Sequence, residues 1–523
     1  MKRLKILVLS TVVLAVSSCA QLPKDYELER TTAVTNTEHT ALGLRSTAVR
    51  WEYPEKSRLV PLLDGVDAFY ARAMLVKLAE QSLDLQYFLW HKDLTGQVLL
   101  KLVLDAADRG VRVRLLLDDL DNQDLDPELY ALDTHEDVSV RLFNPFATRG
   151  FKYVDFFVDT ARINRRMHNK SFTVDNQYTI VGGRNIGDEY FDAGEGFNFY
   201  DMDVLATGPI VEDVSSAFDL YWNHEAAVPI SAFEQNTATT ADLDDLRRRL
   251  TAYRDANLDS PYVDDLRASE IAAALKGGEY PVYAADATVM FDDPDKGLGK
   301  SPDEFESMAD LMRPYLEKVE FEVVLISPYF VPGDGGVKKF ADLVKRGVDV
   351  HVITNSYAST DSGVVHAGYS TYREALLAAG VHLYELKPSA QGGRREGSVV
   401  YDSLASLHTK VFIFDVETVF IGSLNLDPRS IDINTEMGIL MYSPELAWTW
   451  GTRLEDKGIE QVYELELVRS PAESKGEFTV YTKHIEWIER KNGETIRHAT
   501  EPGVGASDSI KLFFSGMAPE SQI

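Results

Sequence analysis

Cysteine is nearly absent from this chain, since Cys19 is the single thiol among 523 residues. One thiol cannot form a disulfide within the chain, and a chain of this length can bury a sufficient core without one. Long apolar runs are also scarce. The run from Ile6 to Val16 is too short to span a bilayer comfortably, and no later run is long enough to cross a membrane. These absences exclude a disulfide-stapled domain and a polytopic membrane protein.

Positive charge is in short supply, because 53 lysines and arginines face 83 aspartates and glutamates, for a formal net charge of −30. A chain this acidic is repelled by nucleic acid, since nonspecific binding depends on Lys and Arg neutralising phosphates. The composition therefore disfavours a nuclease and predicts no nucleic-acid partner. The most obvious local basic cluster is Arg162, Arg165 and Arg166, which is either a solvated loop or a segment that steers an anionic substrate.

Metal-ligand spacing is missing as well. The chain has 11 histidines, and apart from His168, His408 and His366 they show no pattern such as His-x3-His. We therefore predict neither a metal site nor a cofactor.

The first residues have the layout of a bacterial lipoprotein signal. A basic head precedes the apolar run, and Val16-Ser17-Ser18-Cys19 matches a lipobox, in which the cysteine is lipidated after cleavage. Residues 1–18 are predicted to be a signal peptide and Cys19 the lipidation site; an ordinary secretory signal with an incidental cysteine is the alternative. Ala20, in place of an aspartate, favours the outer membrane. The protein would then lie in the cell envelope, facing the periplasm.

One pattern of polar and glycine residues occurs twice at a fixed offset of 240 positions (408 − 168). The first copy is His168, Lys170, Asp175, Gly182 and Asn185, and the second is His408, Lys410, Asp415, Gly422 and Asn425. In each copy an apolar run follows the lysine and another precedes the glycine, with turn residues between them, which predicts a β-hairpin. Accidental spacing does not reproduce such a set, so the chain contains an internal duplication that carries a site.

The residue types in this pattern suit a phosphodiester. A histidine that titrates near neutrality can act as nucleophile or proton donor. A lysine supplies a positive charge for a phosphate oxygen, and an asparagine adds neutral donors. With two sets facing each other, one imidazole could attack phosphorus while the other protonates the leaving alcohol, and the roles reverse for the incoming alcohol. The residues alone do not decide which histidine attacks.

The paired motif resembles that of the phospholipase D superfamily, His-x-Lys-x4-Asp followed by Gly-Ser/Gly-x-Asn, and within it that of bacterial cardiolipin synthases. Further similar stretches are Ser82 to Phe88, Arg109 to Asp119, Asp427 to Ser430 and Asn434 to Glu436. The resemblance implies an α/β fold, a pseudo-dimer of two α/β/α sandwich halves with the active site at their interface. It also implies a metal-free reaction through a phosphohistidine, with His168 as nucleophile and His408 as acid/base.

The resemblance adds further residues to the candidate site. The substrate-binding candidates are Asn185, Asn425, Ser423 and Glu436. The first copy has Gly183 where the second has Ser423, so it lacks one hydroxyl that could contact phosphate. The superfamily uses a glutamate to hold the far nitrogen of the imidazole, as a buried carboxylate does in a protease triad. Glu436 is the candidate for that role, with Glu189 as its counterpart in the first half.

Four other residues have predicted places near the motif. The superfamily counts Asp175 and Asp415 in its catalytic signature, but strand parity and the predicted turns favour structural roles for them. Asp361 and His366 follow a predicted strand that ends at Thr354. Site residues commonly follow strands in α/β folds, so these two are predicted to line the pocket.

Strand and helix patterns repeat around the two motif copies. Arg109-Gly110-Val111 and Arg346-Gly347-Val348 each separate a helical pattern from a strand pattern. Alternating strands and helices predict a mixed or parallel sheet covered on both faces, with the two hairpins meeting at the seam between halves. The predicted layout is a polar tether (19–55), a first half (56–235), a helical connector (236–300), a second half (301–465) and a tail of unassigned function (466–523) with an Asn492-Gly493 turn.

The function implied by the resemblance is that of a membrane-anchored phosphatidyltransferase acting on glycerophospholipids. Phosphatidylglycerol as acceptor would give cardiolipin, phosphatidylethanolamine is a second candidate acceptor, and water would give phosphatidic acid, so a phospholipase D is the main alternative. A non-enzymatic lipid-binding envelope protein would be expected to have a degenerate site, and both motif copies are complete here. A helper protein that sets acceptor choice stays open.

Overall fold

The computed structural model describes residues 22–505 apart from 51–54, 150–154, 156–157, 276–279, 301–304, 389–403, 454–458 and 476–477. The predicted signal peptide and Cys19 lie outside the described residues. The strands are β1 (Ser57–Leu62), β2 (Ser82–Tyr87), β3 (Arg112–Asp118), β4 (Val138–Phe143), β5 (Ser171–Val174), β6 (Tyr178–Gly182), β7 (Phe197–Tyr200), β8 (Asp203–Thr207), β9 (Ala227–Pro229), β10 (Tyr283–Phe291), β11 (Glu322–Ile326), β12 (Asp349–Asn355), β13 (His382–Leu386), β14 (Leu404–Leu407), β15 (Val411–Phe414), β16 (Thr418–Gly422), β17 (Met437–Tyr442), β18 (Val462–Lys475), β19 (Phe478–Lys491) and β20 (Glu494–His498).

The α-helices of the same residues lie mainly between the strands. They are α1 (Ala41–Arg50), α2 (Gly65–Leu78), α3 (Leu94–Ala107), α4 (Asp126–Leu132), α5 (Thr160–Ile163), α6 (Ile210–Trp222), α7 (Thr240–Ala256), α8 (Pro261–Arg267), α9 (Glu270–Leu275), α10 (Met308–Lys318), α11 (Gly333–Lys345), α12 (Gly363–Ser370), α13 (Arg373–Ala379), α14 (Pro428–Asp432) and α15 (Pro444–Arg453).

Local sequence explains how helix gives way to strand in each half. The Asp93 side chain accepts a hydrogen bond from the Gly96 amide and so caps the start of α3. Beyond the end of α3, Gly110 has φ 88°, and beyond α11, Gly347 has φ 91°. Glycine adopts this left-handed conformation without a steric penalty, so in both halves the chain reverses there and enters β3 or β12.

Eighteen strands form one mixed sheet with an internal two-fold order. The first half runs β9-β4-β3-β2-β5-β6-β8-β1, and the second runs β10-β17-β16-β15-β11-β12-β13-β18-β19-β20. The two are joined by antiparallel pairing of β1 with β10, in which Ser57 lies opposite Ala285. Strands β2, β3 and β4 of the first half are parallel, as are β11, β12 and β13 of the second. In each half the first strand of the motif hairpin, β5 or β15, is antiparallel to them. The predicted α/β pseudo-dimer is therefore confirmed.

Buried apolar residues form a core in each half and a third core between the halves. That third core brings Val181 and Val204 of the first half against Val411 and Ile439 of the second, all essentially inaccessible to solvent. Burial of apolar surface is the dominant favourable term in packing. The seam is consequently part of the folded interior, and the strands that carry the two motifs are fixed relative to each other.

The predicted domain boundaries differ from the structure at two places. Part of the expected tether packs on the first half, since the backbone carbonyls of Glu29, Thr31 and Thr32 accept hydrogen bonds from arginines of β3 and β4. The expected connector is helical in α7, α8 and α9. Its last part, however, is β10, which pairs with β17 and so begins the second half at residue 283.

The expected tail is an extension of the sheet. Strand β18 pairs with β13, β19 with β18, and β20 with β19. Asn492 and Gly493 have φ values of 51° and 77°, as an Asn-Gly hairpin turn requires. Within the described chain, no helix combines the length and apolarity needed to cross a membrane.

Candidate active site

The two motif copies form the predicted hairpins, β5–β6 and β15–β16. The turn of each hairpin contains the motif aspartate, and its carboxylate binds the backbone at the start of a neighbouring strand. Asp175 accepts hydrogen bonds from the amides of residues 80–82, the shortest at 2.8 Å from Gln81. Asp415 binds the amides of residues 320–322 in the same way. The histidine lies before the opposite end of the strand, so Asp175 and Asp415 are not placed to react, contrary to their place in the catalytic signature.

Each catalytic-motif histidine is held by the other half of the molecule. The His168 amide donates to the Thr435 carbonyl at 2.8 Å, and the His408 amide donates to the Tyr200 carbonyl at 2.8 Å. Their Nδ1 atoms bind carboxylates, His168 to Glu436 Oε2 at 2.8 Å and His408 to Asp201 Oδ2 at 2.6 Å. An Nδ1 held in this way fixes the ring and leaves Nε2 for chemistry.

Asp201 is the site residue that sequence reasoning missed. Glu189, expected to hold an imidazole, instead pairs with His91, Oε1 to Nδ1 at 3.0 Å. Asp201 and Glu436 are structurally equivalent. The motif glycine Gly182 pairs with residue 203 of β8, and Gly422 pairs with residue 438 of β17. Each acid lies two residues before the paired position. The signal in the sequence is an acid followed by methionine before a strand, Asp201-Met202 and Glu436-Met437.

The first copy has Gly183 where the second has Ser423, because the acid that binds the imidazole is an aspartate in the first half and a longer glutamate in the second. The Ser423 hydroxyl donates to Glu436 Oε2 and accepts a hydrogen bond from the Met437 amide at 3.0 Å. In the first half a Cβ on Gly183 would lie 2.2 Å from Asp201 Oδ1, and Asp201 takes its amide hydrogen bond from Met202 at 2.7 Å. Ser423 thus orients the glutamate, and the shorter aspartate occupies the space that a serine would need.

Both motif lysines are buried at the seam. The Lys170 Nζ donates to the His168 carbonyl at 2.7 Å, and Lys410 makes the equivalent bond to His408. Burial lowers the pKa of Lys170 to about 7, opposed by Glu436, and Lys410 lowers it further. Burial also lowers the pKa of Lys410, to about 8, against the opposing charge of Asp201. The site therefore holds two lysines that an anionic ligand would stabilise in their charged form.

The two imidazoles are neutral near pH 7 in the free protein. Burial lowers the pKa of His168 to about 4, with Glu436 opposing and Lys170 adding to the shift. Burial and the Lys410 charge hold the pKa of His408 well below its usual value, and His168 contributes to the same shift. Glu436 binds both His168 of the first motif copy and Ser423 of the second, so the two copies belong to one site.

The two asparagines are not equivalent. Asn185 Oδ1 accepts from the Leu89 amide at 3.2 Å and its Nδ2 donates to the Tyr190 hydroxyl at 3.0 Å. Asn425 is buried, and within the described chain its Oδ1 has no hydrogen-bond partner. The amide oxygen of Asn425 is therefore unpaired among the described residues, whereas both amide atoms of Asn185 are bound.

The predicted basic cluster is occupied by structural contacts. Arg166 is buried and pairs with Asp118, NH1 to Oδ1 at 3.2 Å. Arg162 donates to the Pro145 carbonyl, and Arg165 donates to the Lys296 carbonyl. These arginines hold the loop before His168, so neither the solvated-loop prediction nor the steering prediction describes Arg166.

The two residues predicted to line the pocket have different positions. Asp361 accepts a hydrogen bond from the Tyr329 hydroxyl at 2.7 Å and acts electrostatically on His408. His366 is buried and binds Glu501, Nε2 to Oε1 at 2.8 Å. This contact ties it to the C-terminal extension, and its place in the pocket stays a prediction.

Two groups of side chains have the separation of metal ligands, namely His91 with Asp93 and Glu189, and His224 with Glu225 and Asp295. Neither group includes a motif residue. Their partial exposure and mutual ion pairs also fit ordinary surface contacts.

A seam that brings two His-Lys-Asn sets into one site defines the class of phospholipase D-like proteins built from two repeats. The family model described as "Cardiolipin synthase, PLD-like domain" matches residues 74–222 and 312–456. Cardiolipin synthase C of Escherichia coli is 38% identical over 90% of this chain and 96% of its own length. Cardiolipin synthase A of Pseudomonas syringae is 26% identical over 74% of this chain and 65% of its own length.

A solved structure shares the fold. The phosphatidylserine synthase of Haemophilus influenzae superimposes with a TM-score of 0.53 at 16% identity, covering 80% of this chain and 92% of that one. The chain belongs to the phospholipase D-like cardiolipin synthase family. It is accordingly an enzyme, a phospholipid phosphatidyltransferase.

Proposed function

We propose that this enzyme transfers a phosphatidyl group from one glycerophospholipid to the alcohol of a second lipid through a covalent phosphohistidine. With phosphatidylglycerol as acceptor the product is cardiolipin. The observation that carries the proposal is the pair of imidazoles in one site, each with Nδ1 held by a carboxylate of the opposite half. This leaves two Nε2 atoms for one phosphorus, one to attack and one to move the proton.

The reaction proceeds in two displacements. His168 Nε2 bonds to phosphorus while the leaving alcohol takes a proton from His408. The acceptor alcohol then gives its proton to His408, attacks phosphorus, and releases His168. The anionic phosphate raises the pKa values of His408, Lys170 and Lys410 when it binds, because it brings opposite charge into a buried site. His408 can then carry the proton, and the lysines can stabilise the phosphoryl oxygens.

The assignment of His168 as the nucleophile follows the resemblance, and the carboxylates suit either histidine. Burial raises the pKa of Glu436, but the facing His168 and Lys170 bring it below its ordinary value. Burial raises the pKa of Asp201, opposed by Lys410. A phosphorylated imidazole bears positive charge, which a carboxylate on Nδ1 stabilises at whichever histidine attacks.

The acceptor is the open part of the proposal. Phosphatidylglycerol and water each offer a hydroxyl that can attack phosphorus, and water would give phosphatidic acid; phosphatidylethanolamine offers only an amine, which does not fit transfer to an alcohol. A nuclease is disfavoured, because a net charge of −30 repels a polyanion. A purely lipid-binding protein would not need two complete sets of reacting groups.

Membrane attachment through a lipidated Cys19 belongs to the same proposal. The chain packs on the first half from about Tyr26 onward, so a free tether would comprise only residues 19–25. Seven extended residues reach at most about 25 Å. The lipid would therefore keep the enzyme close to the envelope membrane that holds its substrates.

The test uses cells that lack other cardiolipin synthases. We expect His168→Ala and His408→Ala each to abolish cardiolipin formation, with lipid extracts as the readout. Glu486→Gln, in an exposed ion pair on the C-terminal strands, is the matched control and should retain activity. Undiminished synthesis by either histidine variant would contradict the mechanism. Incubation of the purified enzyme with plasmid DNA tests the nuclease alternative.

A further inference from the structure

The C-terminal strands end in a residue that binds one loop of the second half. Glu501 accepts hydrogen bonds from His366 Nε2 at 2.8 Å, from Arg373 NH1 at 2.8 Å and from the Tyr357 amide at 3.2 Å. Arg373 also pairs with Glu385 at 2.8 Å, and Glu385 accepts from the Trp487 indole of β19 at 2.9 Å. The extension therefore holds both ends of segment 357–373.

That segment carries Asp361 toward the catalytic centre. The Asp361 carboxylate is exposed and bound to the Tyr329 hydroxyl at 2.7 Å. The Tyr329 carbonyl accepts from the Leu426 amide at 3.2 Å, directly beside Asn425. The negative charge of Asp361 favours the protonated forms of His408 and Lys410. A solvent-accessible acceptor thus lies at the His408 side of the site.

In the described part of the first half, a leucine stands at the position equivalent to Tyr329. Trp90 forms a β-bridge with Ile186, the residue after the motif asparagine, and Phe330 forms the same bridge with Leu426. Leu89, which precedes Trp90, is therefore equivalent to Tyr329, which precedes Phe330. A leucine cannot hold a carboxylate at the mouth of the site. The two asparagines differ as well, because Asn185 binds Tyr190 whereas Asn425 Oδ1 is unpaired among the described residues. The two sides of the site therefore present different groups to substrate.

We propose that Asp361, with Tyr329, forms the subsite for the acceptor alcohol, and that Glu501 is a positioning residue that fixes the segment bearing Asp361. One headgroup hydroxyl of the incoming lipid donates to the Asp361 carboxylate, and this orients a second headgroup hydroxyl toward His408, to which it gives its proton. This inference rests on the proposed function, because it assumes that His408 takes the proton of the acceptor. It gives the C-terminal extension a role in choosing lipid over water.

The experiment measures how the purified full-length enzyme partitions a labelled phosphatidyl donor between lipid product and phosphatidic acid. Vesicles of phosphatidylglycerol are the acceptor, and a parallel arm adds free glycerol to separate a lipid headgroup from a soluble alcohol. We expect Asp361→Asn to lower the ratio of transfer to hydrolysis by about tenfold, since a hydrogen bond to a charged group is lost. Tyr329→Phe should lower it in the same direction. Total donor consumption should change less than the ratio.

Glu501→Gln should lower the same ratio by a smaller factor, and the Glu501→Gln/Asp361→Asn double variant should be no worse than Asp361→Asn alone. Glu486→Gln, on the same strands but without contact to segment 357–373, is the control and should leave the ratio unchanged. Should Glu501→Gln fail to fold, Asp361→Asn tests the subsite by itself, because Asp361 is exposed. An unchanged ratio in Asp361→Asn, or additive effects in the double variant, would overturn the inference. Absence of any product from the wild-type enzyme would instead overturn the proposed function.

Discussion

At the residue scale, the crossed pairing of imidazole and carboxylate is the feature most open to direct test. Glu436→Gln keeps the hydrogen bond to His168 but removes the charge that stabilises a cationic ring. We expect kcat to fall by about two to four orders of magnitude with little change in KM, as for the buried carboxylate of a protease triad. Single-turnover labelling with a radioactive donor measures the step.

Ser423→Ala provides the graded comparison for Glu436→Gln. It removes only the hydroxyl that donates to Glu436, so a loss of about tenfold is expected. Retention of full labelling by Glu436→Gln would mean that the carboxylate orients nothing essential.

The buried lysines predict a pH dependence of kcat/KM. Since their pKa values in the free enzyme are about 7 for Lys170 and about 8 for Lys410, their positive charges are present at lower pH and are lost as pH rises. An anionic phosphate then binds more weakly. We expect kcat/KM to fall by about tenfold per pH unit above the low free-enzyme pKa of His408, which has to be protonated to react, and to fall more steeply above pH 7 and again above pH 8 as the two lysines lose their charge.

Lys170→Arg distinguishes the lysines from other titrating groups. A guanidinium stays charged throughout, so the steepening near pH 7 should disappear and only the one near pH 8, where Lys410 titrates, should remain. The absolute rate of this variant is not compared, because the longer side chain changes the geometry. A wild-type profile that stays level to pH 9 would contradict the assignment.

The motif itself revealed the residue identities at the centre of the site. His168, His408 and both lysines could be found because a duplication repeats their spacing. Asp201 could not, because it lies 33 residues after His168 while Glu436 lies 28 after His408 (201 − 168 and 436 − 408). The fixed offset breaks between motif and acid, and only strand pairing reveals the equivalence. Spacing also gave no indication that each histidine pairs with the opposite half.

At the element scale, the hairpin turns show that one sequence signature contains both reacting residues and residues with a structural role. Asp175 is inaccessible to solvent and satisfies three backbone amides before and at the start of β2. Removal of that acceptor leaves buried donors unpaired, so Asp175→Ala should cost about 1–3 kcal/mol of stability. Thermal unfolding measures the loss, and kcat of the folded enzyme should be unchanged.

Asp415→Ala is the internal comparison for this prediction. Its carboxylate binds the same kind of amides, but two of them, from Glu320 and Phe321, are exposed, so water can replace the acceptor. The destabilisation should be smaller than that of Asp175→Ala. A large loss of kcat in stable, folded protein would instead assign the aspartate a chemical role.

The alternation of strand and helix patterns predicted where the elements lie better than it predicted which elements contact each other. The hairpins and the Gly110 and Gly347 reversals follow from local composition, which is why they could be read from sequence. The packing of Thr31 and Thr32 could not, since arginines bind their backbone carbonyls and side-chain patterns say nothing about carbonyls. The start of the second half at β10 was likewise hidden, because its role depends on pairing with the distant β17.

At the scale of the whole molecule, the seam makes the two halves one functional unit. The continuous sheet through β1 and β10, the core between the halves and the crossed histidine contacts all depend on both halves at once. A site of this kind has no competent form in either half alone. The duplication therefore persists as two different halves, which allows donor and acceptor sides to diverge.

The overall charge leads to the last prediction, which concerns the proposed lipid on Cys19. Loss of Lys2, Arg3 and Lys5 with the signal peptide would bring the net charge from −30 to −33. A body this acidic is repelled by anionic vesicles, so an anchor has to hold the site at the surface. Cys19→Ala should release the enzyme from membranes and lower its activity on anionic vesicles at low salt. Raising ionic strength from about 0.01 to 0.15 M shortens the Debye length from about 30 to 8 Å and should restore part of that activity. Activity on neutral detergent micelles, the control, should match wild type, and retention of Cys19→Ala on salt-washed membranes would contradict the anchor.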